Sequence, residues 1–342
     1  MKILITGSGG LIGSEASRFF LWKKHKVFGI DNNTRQVLFG PAGSVLVNIE
    51  NLNKFSNYVH LNVDIRNRSE ILSIFKRYKP DVVIHCAAQP SHDKAASIPF
   101  DDFDINATGT INLLESCRLH CKDAVFINMS TNKVYGDTPN KLNLIESEKR
   151  YDFADEKYIN GINETLSIDN CLHSLFGASK VSSDIIAQEY GKYFGMNVGI
   201  FRGGCLTGPQ HTGVELHGFL SYIVKCALSD KPYTIFGYKG KQVRDQIHSY
   251  DVIKAFECFI ENPRQGEVYN IGGCKENSAS ILETIDLINK LTGKKLNYAM
   301  SNDNRVGDHI CYYSDMSKFK IHYNNWSLTY NLTDIIQEIY EC

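Results

Sequence analysis

Short apolar runs alternate with longer stretches of helical spacing along the first 202 residues. Runs of this kind, bounded by glycine or polar residues, are typical of strands that are buried on both faces of a parallel sheet. They fall at residues 3–6, 26–30, 58–63, 81–85, 124–128 and 198–201. Between them, residues 103–119 and 176–194 place apolar side chains on one face of a helix. The pattern predicts an α/β fold with a doubly wound parallel sheet.

Beyond residue 202 the alternation loosens into short strands among helices. The predicted strands are Tyr233–Phe236 and Val268–Ile271. The predicted helices are approximately Leu216–Ser229, Asp251–Ile260 and Ser278–Leu291. We therefore predict a sheet domain at residues 1–202 and a smaller C-terminal lobe at residues 203–342, interleaved with late elements of the sheet.

Two polar stretches lack sustained periodicity. Residues 32–55, which contain Gly40 and Gly43, are interpreted as an irregular insertion rather than as part of the core. Residues 137–170 are interpreted as a long loop, and loops of this length inside a compact domain are usually functional or disordered.

The first strand ends in a glycine-rich turn, residues 7–13, of sequence GSGGLIG. In a dinucleotide site, Gly7 permits the tight turn, Gly10 leaves room for the pyrophosphate and Gly13 lets the helix pack close to the strand. The second apolar run ends in Asp31, where a carboxylate binds the adenosine ribose hydroxyls. Because a carboxylate repels a 2′-phosphate, these residues predict a Rossmann-type domain that binds NAD rather than NADP.

Other strand ends carry residues that suit the same ligand. Asp64 follows the third run, where it either lies beside an adenine amino group or caps the helix that begins near Ser69; both interpretations have equal weight. The small residues at 87–89 follow the fourth run, and Thr131 follows the fifth. Ligands of doubly wound sheets bind at the carboxyl ends of the strands, so we expect these residues at the site.

Composition excludes several classes of function. The 342 residues contain 37 Lys plus Arg and 38 Asp plus Glu, a formal charge of −1, which gives no basic field for nucleic acid or an anionic membrane. No apolar run approaches the roughly 20 residues that span a bilayer. The chain enters a strand without a charged and apolar leader, so we expect a cytoplasmic protein. The ten cysteines form no Cys-x-x-Cys pair, which predicts free thiols and neither a metal site nor a disulfide framework.

With the glycine turn, Thr131 and Lys180, the chain resembles the extended short-chain dehydrogenase/reductase family, in particular its nucleotide-sugar epimerases and dehydratases. The resemblance covers nearly the whole chain. Residues 240–248, of sequence GKQVRDQIH, are similar to the segment in which the family's arginine meets the nucleotide diphosphate, here Arg244. Arg305, in the sequence RVGD, resembles a second phosphate-binding arginine. Arginine suits this role because its rigid fork makes paired, charge-assisted bonds to phosphate oxygens.

Two segments resemble one branch of this family, the CDP-paratose (CDP-tyvelose) 2-epimerases. They are residues 130–137, of sequence STNKVYGD, and residues 87–93, of sequence AAQPSHD. The family's 4,6-dehydratases carry an aspartate and a glutamate at the positions of Asn132 and Lys133, so this chain departs from that branch. The resemblance implies transient oxidation of a nucleotide-activated sugar to a keto sugar and return of the hydride to its other face, with no net redox change.

The chain departs from the family at the acid/base residue. The family carries Tyr-x-x-x-Lys, in which the tyrosine is the acid/base, whereas this chain has Phe176 before Lys180. Three explanations stay open: an engineered Tyr→Phe change, a natural branch that moves the proton with another group, or a protein that binds without reacting. We favour the natural branch, with Lys133 as the leading replacement base. The other candidates are His92, Tyr135, Glu164 and His173.

The resemblance implies a set of residues for each role. The catalytic positions are Thr131, Lys133, Phe176 and Lys180. The cofactor ligands are Gly7, Gly10, Leu11, Ile12, Gly13, Asp31, Asn32, Asp64, Ile65, Ala87, Ala88, Gln89, Asn106 and Lys180. The ligands of the nucleotide-diphosphate sugar are Gln89, Ser91, His92, Thr131, Asn132, Lys133, Arg202, Gly204, Arg244 and Arg305.

The resemblance also implies a homodimer through the helices at residues 102–119 and 176–194. Two rival functions stay open. One is another NAD-dependent dehydratase, decarboxylase or net oxidoreductase on the same scaffold. The other is a non-catalytic protein that binds NAD and a nucleotide sugar, which Phe176 alone supports.

Overall fold

The computed structural model describes residues 1–210, 218–301 and 308–341. The strands are β1 Lys2–Thr6, β2 Lys26–Ile30, β3 Tyr58–Leu61, β4 Val82–His85, β5 Val125–Thr131, β6 Leu144–Glu146, β7 Tyr151–Phe153, β8 Val198–Gly203, β9 Cys205–Thr207, β10 Tyr233–Phe236, β11 Val243–His248, β12 Glu267–Ile271, β13 Ser278–Ser280, β14 Tyr298–Ser301 and β15 Cys311–Tyr312. The helices are α1 Leu11–Trp22, α2 Thr34–Phe39, α3 Leu46–Leu52, α4 Arg68–Tyr78, α5 His92–Ala95, α6 Pro99–Phe103, α7 Gly109–His120, α8 Ser174–Phe194, α9 Phe219–Leu228, α10 Ser249–Glu261, α11 Ile281–Thr292, α12 Ser317–His322 and α13 Leu332–Glu341.

These elements divide into two compact units. Unit 1 comprises residues 1–134, 175–202 and 252–269, and unit 2 comprises the described residues of 135–174, 203–251 and 270–342. Residue 202 ends a segment of unit 1, as in the predicted division. Two segments differ from that division: residues 135–174, predicted in the sheet domain, belong to unit 2, and residues 252–269, predicted in the C-terminal lobe, belong to unit 1. The second difference has a packing reason. Phe256 and Phe259 of α10 make edge contacts with Phe201 of β8, with ring centroids 5.0 and 5.7 Å apart.

Unit 1 is built around a seven-stranded sheet in the order β3-β2-β1-β4-β5-β8-β12. Strand β1 pairs in parallel with β2 and β4, so that Thr6 lies opposite Ile30 on one side and His85 on the other. The strand order reverses between β1 and β4, and ligands of doubly wound sheets bind outside the carboxyl ends of the strands at such a point. The predicted fold class is confirmed.

The core of unit 1 explains why its strands are continuously apolar. Leu4, Phe28, Val83, Phe126 and Ile200 come from five adjacent strands, and each is at most 3% exposed. Each such side chain contributes about 1.5–3 kcal/mol relative to an exposed position. Helices cover both faces of the sheet, so neither set of alternating side chains faces water.

The helix predicted at residues 103–119 consists of separate segments. Helix α6 leads into a π-helical turn at Asp104–Thr108, which continues into α7. The π turn contains Asn106, and π-helical turns often lie at functional sites. Apolar periodicity does not reveal such a turn, because the π-helical segment is only five residues long.

The interpretation of residues 32–55 as an irregular insertion outside the core is wrong. The segment contains α2 and α3, and Val45 and Ile49 are buried. An added Cβ on Gly9 would lie 2.7 Å from Cγ2 of Val45, and Asn48 donates a hydrogen bond from Nδ2 to Gly9 O at 2.8 Å. The helices are short and bury few residues, so the polar composition concealed them.

Two later elements also differ from the prediction. Residues 137–170 contain the antiparallel hairpin of β6 and β7 rather than loop alone, with Leu144 opposite Phe153. The helix predicted from Ser278 begins at Ile281, because the three residues before it form β13. Its N-cap is Ser280, which accepts a hydrogen bond from Glu283 N at 3.0 Å.

Unit 2 contains a small mixed sheet centred on β11. This strand pairs in parallel with β15 and β9 and antiparallel with β13. A separate apolar core is formed by the helices α9, α11 and α13, whose residues Ile223, Ile285 and Ile335 are at most 3% exposed. Strand β11 carries Arg244, one of the predicted phosphate ligands. Another, Arg305, and the predicted helix start at Leu216 lie outside the described residues.

Candidate active site

The glycine turn has the geometry that its spacing predicts. Gly7 has a φ of 67°, which favours glycine, and its N–H donates to Ile30 O at 2.8 Å. An added Cβ on Gly13 would lie 2.1 Å from Gly7 O, so only glycine allows α1 to pack this closely. Gly10 differs from these two glycines. When its chain neighbours are set aside, an added Cβ on Gly10 would have one described atom within 4 Å, which is Gly7 O at 3.3 Å. The N-terminus of α1 is therefore open at Gly10, where the helix dipole favours a phosphate.

The carboxylate of Asp31 lies beside this turn. Its Oδ2 accepts a hydrogen bond from Gly9 N at 2.9 Å, and its Oδ1 accepts one from Asn33 N at 2.8 Å. Both contacts fix the side chain directly after β2, where a carboxylate binds ribose hydroxyls in dinucleotide sites. The next residue, Asn32, donates from Nδ2 to Asp64 Oδ2 at 3.1 Å. Two predicted cofactor ligands on neighbouring strand ends are thus connected.

Asp64 does not cap a helix, so that alternative is wrong. The N-cap of α4 is Asn67, whose side chain accepts from Glu70 N at 3.3 Å. Asp64 instead accepts hydrogen bonds from Arg66 N at 2.9 Å and from its Nη2 at 2.8 Å. Partial burial raises the pKa of Asp64, but these bonds to Arg66 outweigh it and lower the pKa overall. Its placement beside adenine stays a prediction.

The end of β4 abuts the glycine turn. An added Cβ on Gly7 would lie 2.8 Å from Ala87 N, and Ala87 N donates to Oγ1 of Thr6 at 3.2 Å. The same Oγ1 lies 2.7 Å from Nδ1 of His85, which is buried. Burial and the charge of Lys180 lower the pKa of His85 to about 3, so the imidazole is neutral.

Asn106 connects the segment after β4 to α8. Its Oδ1 accepts from Gln89 N at 3.0 Å, and its Nδ2 donates to Gln89 O at 3.2 Å and to Ser179 Oγ at 3.0 Å. The side chain therefore fixes the backbone of Gln89 from both sides. Asn106 is 1% exposed, so its amide stabilises this part of the site without facing water.

A buried carboxylate, Asp102, completes this network and was not predicted. It accepts hydrogen bonds from Ser179 Oγ at 2.6 Å, from Gln89 Nε2 at 2.7 Å and from Asn106 Nδ2 at 3.2 Å. Burial raises the pKa of Asp102, although the bonds from Ser179 and Gln89 oppose this. An aspartate near a predicted helix start is usually solvated, which is why sequence reasoning passed over it. The network consequently occupies both carboxylate oxygens.

Phe176 and Lys180 lie one turn apart on α8. Phe176 is 7% exposed, and its ring makes an edge contact with His92 at a centroid distance of 6.4 Å. Lys180 is 5% exposed and donates from Nζ to Met129 O at 2.9 Å. Burial lowers the pKa of Lys180 to about 8, although Asp184 opposes this shift.

The end of β5 presents the residues of the predicted sugar site. Thr131 is half-buried, and its Oγ1 donates to Asn132 Oδ1 at 3.4 Å and accepts from Lys133 N at 3.3 Å. Lys133 is half-buried as well. Thr131 and Lys180 both belong to unit 1, and the carbonyl that Lys180 contacts is two residues before Thr131 on the same strand.

Arg202 is predicted as a substrate ligand, and the structure indicates a structural role instead. Its Nε and Nη2 donate to Asp184 at 3.0 and 2.8 Å, and both side chains are at most 5% exposed. Asp184 also accepts from Ser130 Oγ at 2.6 Å and from Gln188 Nε2 at 2.8 Å. A guanidinium held in a buried two-bond ion pair is not available for phosphate without leaving Asp184 buried and unpaired.

Unit 2 holds two further predicted substrate ligands, Gly204 and Arg244. Arg244 donates from Nη2 to Asp308 Oδ1 at 2.6 Å and to His309 O. The neighbouring charge of Asp308 raises the pKa of Arg244 against the effect of burial. At Gly204 an added Cβ would lie 2.7 Å from Asp245 Oδ1, so this position requires glycine for packing.

Three of the alternative acid/base candidates lie in unit 2, and each has a hydrogen-bond partner there. Tyr135 donates from its hydroxyl to Asn270 Oδ1 at 2.7 Å and is fully buried. Glu164 accepts from Asn270 N at 2.7 Å, and burial raises its pKa. His173 Nε2 lies 2.8 Å from Ile168 O. Tyr135 and Glu164 therefore have roles in holding Asn270.

The residues of unit 1 fit a bound dinucleotide. The open N-terminus of α1 at Gly10 suits a pyrophosphate, and Asp31 lies next to it. At Gly7 and Gly13 an added Cβ would lie within 3 Å of backbone atoms, so neither glycine can be replaced without moving backbone. Among the described residues no group of three His, Cys, Asp or Glu side chains could hold a metal ion, and the helices of the described ranges include none long and apolar enough to cross a membrane.

Comparisons with known proteins identify the family. The sequence model of the NAD dependent epimerase/dehydratase family matches residues 3–272, and the chain belongs to this family. The chain is 31% identical over 349 residues to CDP-paratose 2-epimerase of Salmonella typhi, and the match covers 100% of this chain and 98% of that protein.

Solved structures agree with this assignment. UDP-glucuronic acid 4-epimerase of Bacillus cereus, in complex with UDP-glucuronic acid and NAD, has a TM-score of 0.82 at 29% identity, covering 100% of this chain and 98% of that one. dTDP-glucose 4,6-dehydratase of Bacillus anthracis, in complex with NAD, has a TM-score of 0.77 at 26% identity, covering 100% and 96%. The chain is thus a member of a family of NAD-dependent nucleotide-sugar epimerases and dehydratases.

Sequence reasoning missed three buried polar residues that bond to predicted site residues or to their neighbours, Asp102, Ser179 and Asp184. A signal for Asp184 exists, because it shares the buried face of α8 with Lys180 and Ala187 at spacings of four and three residues. A charged residue on the apolar face of a helix indicates a buried ionic partner. Asp102 carries no comparable signal, since its partners come from three separate segments.

Proposed function

We propose that this protein is an NAD-dependent epimerase of a nucleotide-activated sugar, of the CDP-paratose 2-epimerase type. The observation that carries the proposal is the end of β5, where Thr131 is followed by Asn132 and Lys133 instead of two carboxylates. Elimination of water needs an acid and a base at the sugar, and the amide of Asn132 can supply neither, which leaves Lys133 as the one titratable group of the two positions. Oxidation and return of hydride at one carbon need only the one group that exchanges the hydroxyl proton, and not this additional pair, so this site favours epimerisation over dehydration.

In this proposal each unit has its own task. The turn at residues 7–13 and Asp31 bind NAD, which supplies a hydride acceptor and donor when bound. Thr131 donates a hydrogen bond to the sugar oxygen at the reacting carbon. Arg244 binds the nucleotide diphosphate. The other predicted ligands stay predictions of the same proposal: Leu11, Ile12, Asn32, Asp64, Ile65, Ala87, Ala88, Gln89, Ser91, His92, Asn106, Asn132, Lys133, Lys180, Gly204 and Arg305.

The direct test is incubation of the purified protein with CDP-, UDP-, GDP- and dTDP-sugars in ordinary and heavy water, followed by NMR of the sugar ring. We expect a new epimer, formed from a CDP-sugar, with no solvent deuterium at the inverted carbon. Deuterium at that carbon would indicate enolisation in place of hydride return. A keto-deoxy sugar would identify a dehydratase and contradict the proposal.

A second candidate function is supported by Phe176 alone: binding of NAD and a nucleotide sugar without reaction. The matched variant is Phe176→Tyr, which adds one hydroxyl and restores the family pattern. If wild-type protein binds the sugars unchanged and the variant epimerises one of them, the binding function is correct for the wild-type chain. If the wild-type chain turns over, this candidate is excluded.

We also propose that the chain forms a homodimer through α7 and α8. Leu119, Ile185 and Tyr193 on these helices are 52%, 42% and 78% exposed, and exposed apolar side chains on two adjacent helices suit a helical interface. Light scattering coupled to gel filtration measures the mass directly. Ile185→Glu should shift a dimer toward monomer, whereas a wild-type monomer would contradict the proposal.

A further inference from the structure

We propose that Lys180 is itself the acid and base of the reaction, and that its amine exchanges a proton with the sugar hydroxyl at the oxidised carbon. The inference rests on the proposed function. It assigns to Lys180 the role that, in the family, belongs to a tyrosine at the position of Phe176. Sequence reasoning ranked Lys133 first for this role. The structure points to Lys180 by its position, its bonding and its surroundings.

The position of Lys180 follows from helix geometry. Residues four apart on a helix lie on the same face, one above the other. Phe176 and Lys180 are therefore neighbours on the buried face of α8, with exposed fractions of 7% and 5%. A phenol at residue 176 would place its hydroxyl on this face. Without it, the Lys180 amine is a group on the same face that can transfer a proton, whereas the Asp184 carboxylate on that face is paired with Arg202.

The bonding of Lys180 leaves its nitrogen able to accept a proton. Among the described residues, Nζ makes one hydrogen bond, to Met129 O at 2.9 Å, and no ion pair. A neutral amine donates one of its two N–H groups to this carbonyl, keeps its lone pair and leaves one N–H without an acceptor from the described residues. An ammonium would instead bury two N–H groups without an acceptor from the described part of the chain, which is costly in a dry interior.

The two nearest carboxylates are already bound by other donors. Asp184 on the same helix is paired with Arg202 and also bonded to Ser130 and Gln188. Asp102 of α6 accepts three hydrogen bonds from buried side chains. Neither contacts Lys180, so its charge is not balanced by a direct partner.

The remaining titratable neighbours of Lys180 are neutral. Burial raises the pKa of the Cys86 thiol to about 12 and lowers that of His85 to about 3. Burial likewise lowers the pKa of Lys180 to about 8, against the opposing charges of Asp184, Cys86 and Asp102. A base with a pKa near the working pH transfers protons most effectively. A half-buried lysine such as Lys133 experiences less desolvation.

The proton and electron balance is complete. The sugar C–H bond breaks and its electron pair leaves as hydride to the oxidised nicotinamide dinucleotide of the proposed function. The O–H bond breaks, its electrons form the carbonyl, and the proton adds to the Lys180 lone pair, directly or through one bridging hydroxyl or water. In the reverse step the hydride adds to the other face of the carbonyl carbon, and the Lys180 ammonium returns the proton to oxygen.

The first test titrates Lys180 without turnover. Protein labelled with [ε-13C]lysine is titrated by NMR with NAD added, and the Lys180 signal is assigned by its absence from Lys180→Arg. We expect a signal that titrates at about pH 8. Titration at the pH of an ordinary lysine overturns the inference. This readout does not depend on the sugar, so it remains informative if the protein epimerises nothing.

The second test uses rescue by external amines. Lys180→Ala should lower kcat by about 10²–10⁴-fold, and small primary amines should restore it at a rate that rises with amine basicity. Lys180→Arg keeps the charge but cannot act as base near neutral pH, so its kcat should be as low while bound NAD is retained. If Lys180→Arg is active, or rescue is independent of basicity, Lys180 is a static counter-charge and the inference is wrong.

The matched control separates this inference from the proposed function. In Lys133→Ala, the dependence of kcat on pH should keep the basic group that titrates near pH 8, whatever its kcat. Loss of that group in Lys133→Ala and its retention in Lys180→Ala would transfer the role to Lys133. A wild-type protein that turns over no sugar contradicts the proposed function, while the NMR titration still decides whether Lys180 is available as a base.

Discussion

The guanidinium of Arg202 donates two hydrogen bonds to the carboxylate of Asp184, from Nε at 3.0 Å and from Nη2 at 2.8 Å. The two residues lie on β8 and α8, and both are at most 5% exposed. Because Arg202 neutralises Asp184, the neighbouring Lys180 has no anionic partner within contact distance among the described residues. A pair that stabilises the fold therefore also sets the electrostatics of the candidate active site.

Breaking this pair should destabilise the protein strongly. Arg202→Met leaves Asp184 buried without its main partner, and we expect the free energy of unfolding to fall by about 3–5 kcal/mol. The measurement is urea unfolding followed by circular dichroism. The double variant with Asp184→Leu should recover part of the loss. As a control, Lys149→Ala, which removes an exposed pair with Asp286, should leave the urea midpoint unchanged; an equal loss there would refute the argument.

Two glycines of the turn should respond differently to alanine. Gly13→Ala places a Cβ 2.1 Å from a carbonyl oxygen, so α1 must move and the protein should lose about 3 kcal/mol of stability. Gly10→Ala meets that oxygen at 3.3 Å, so the fold should be kept within about 1 kcal/mol while bound NAD falls. Urea unfolding and chromatography of released nucleotide measure both. Equal unfolding of the two variants would show that Gly10 is structural.

Charge removal at Asp31 should relax the choice of dinucleotide. Asp31→Asn keeps the size of the side chain and one acceptor for Gly9 N but no longer repels a 2′-phosphate. The ratio of NADP to NAD dissociation constants should fall by about tenfold, since a charge pair near the protein surface contributes at least about 1 kcal/mol. Calorimetric titration of nucleotide-free protein gives the ratio. Asp81→Asn, at the opposite end of the sheet where Asp81 accepts from Lys2 N, should leave it unchanged.

The buried network at Asp102 should tolerate an amide and not a hydrocarbon. In Asp102→Asn the new Oδ1 still accepts from Gln89 and Asn106, and Ser179 can redirect its hydroxyl to Phe176 O at 3.0 Å. We expect the free energy of unfolding of Asp102→Asn to stay within about 1 kcal/mol of the wild-type value. Asp102→Leu removes the acceptor of one buried N–H of Gln89, whose other N–H donates to Ser91 O, and should cost about 1–3 kcal/mol. Thermal or urea unfolding decides, and a Leu variant as stable as the Asn variant would contradict the role of the network.

The pKa of Lys180 predicts a dependence of stability on pH. A base whose pKa falls from 10.5 to about 8 on folding holds its proton less tightly in the folded state, so its contribution to stability decreases as pH falls from 10.5 to 8 and is constant below. Lys180→Met lacks this effect. As pH falls from 10.5 to 8, the free energy of unfolding of the variant relative to wild type should therefore rise by about 3 kcal/mol. A difference that does not change with pH would show that Lys180 titrates normally.

The sequence by itself determined the frame of this protein. The apolar runs predicted the strands because both faces of a parallel sheet are buried, and the glycine spacing with Asp31 predicted the dinucleotide turn because few residues fit such close contacts. The family resemblance added Thr131, Lys180 and the departure at Phe176. These features are local in sequence, so a short window of residues carries each of them.

Only the tertiary structure decided how the buried polar groups pair. Asp102, Gln89, Asn106 and Ser179 come from separate segments, and nothing in any one segment specifies its partners. The binding of Arg202 to Asp184 likewise depends on how α8 packs on β8. Hydrogen bonds between distant residues are fixed by packing, and pKa values follow from burial and from these partners. For that reason the sequence indicated a missing base, whereas the structure indicated which amine could replace it.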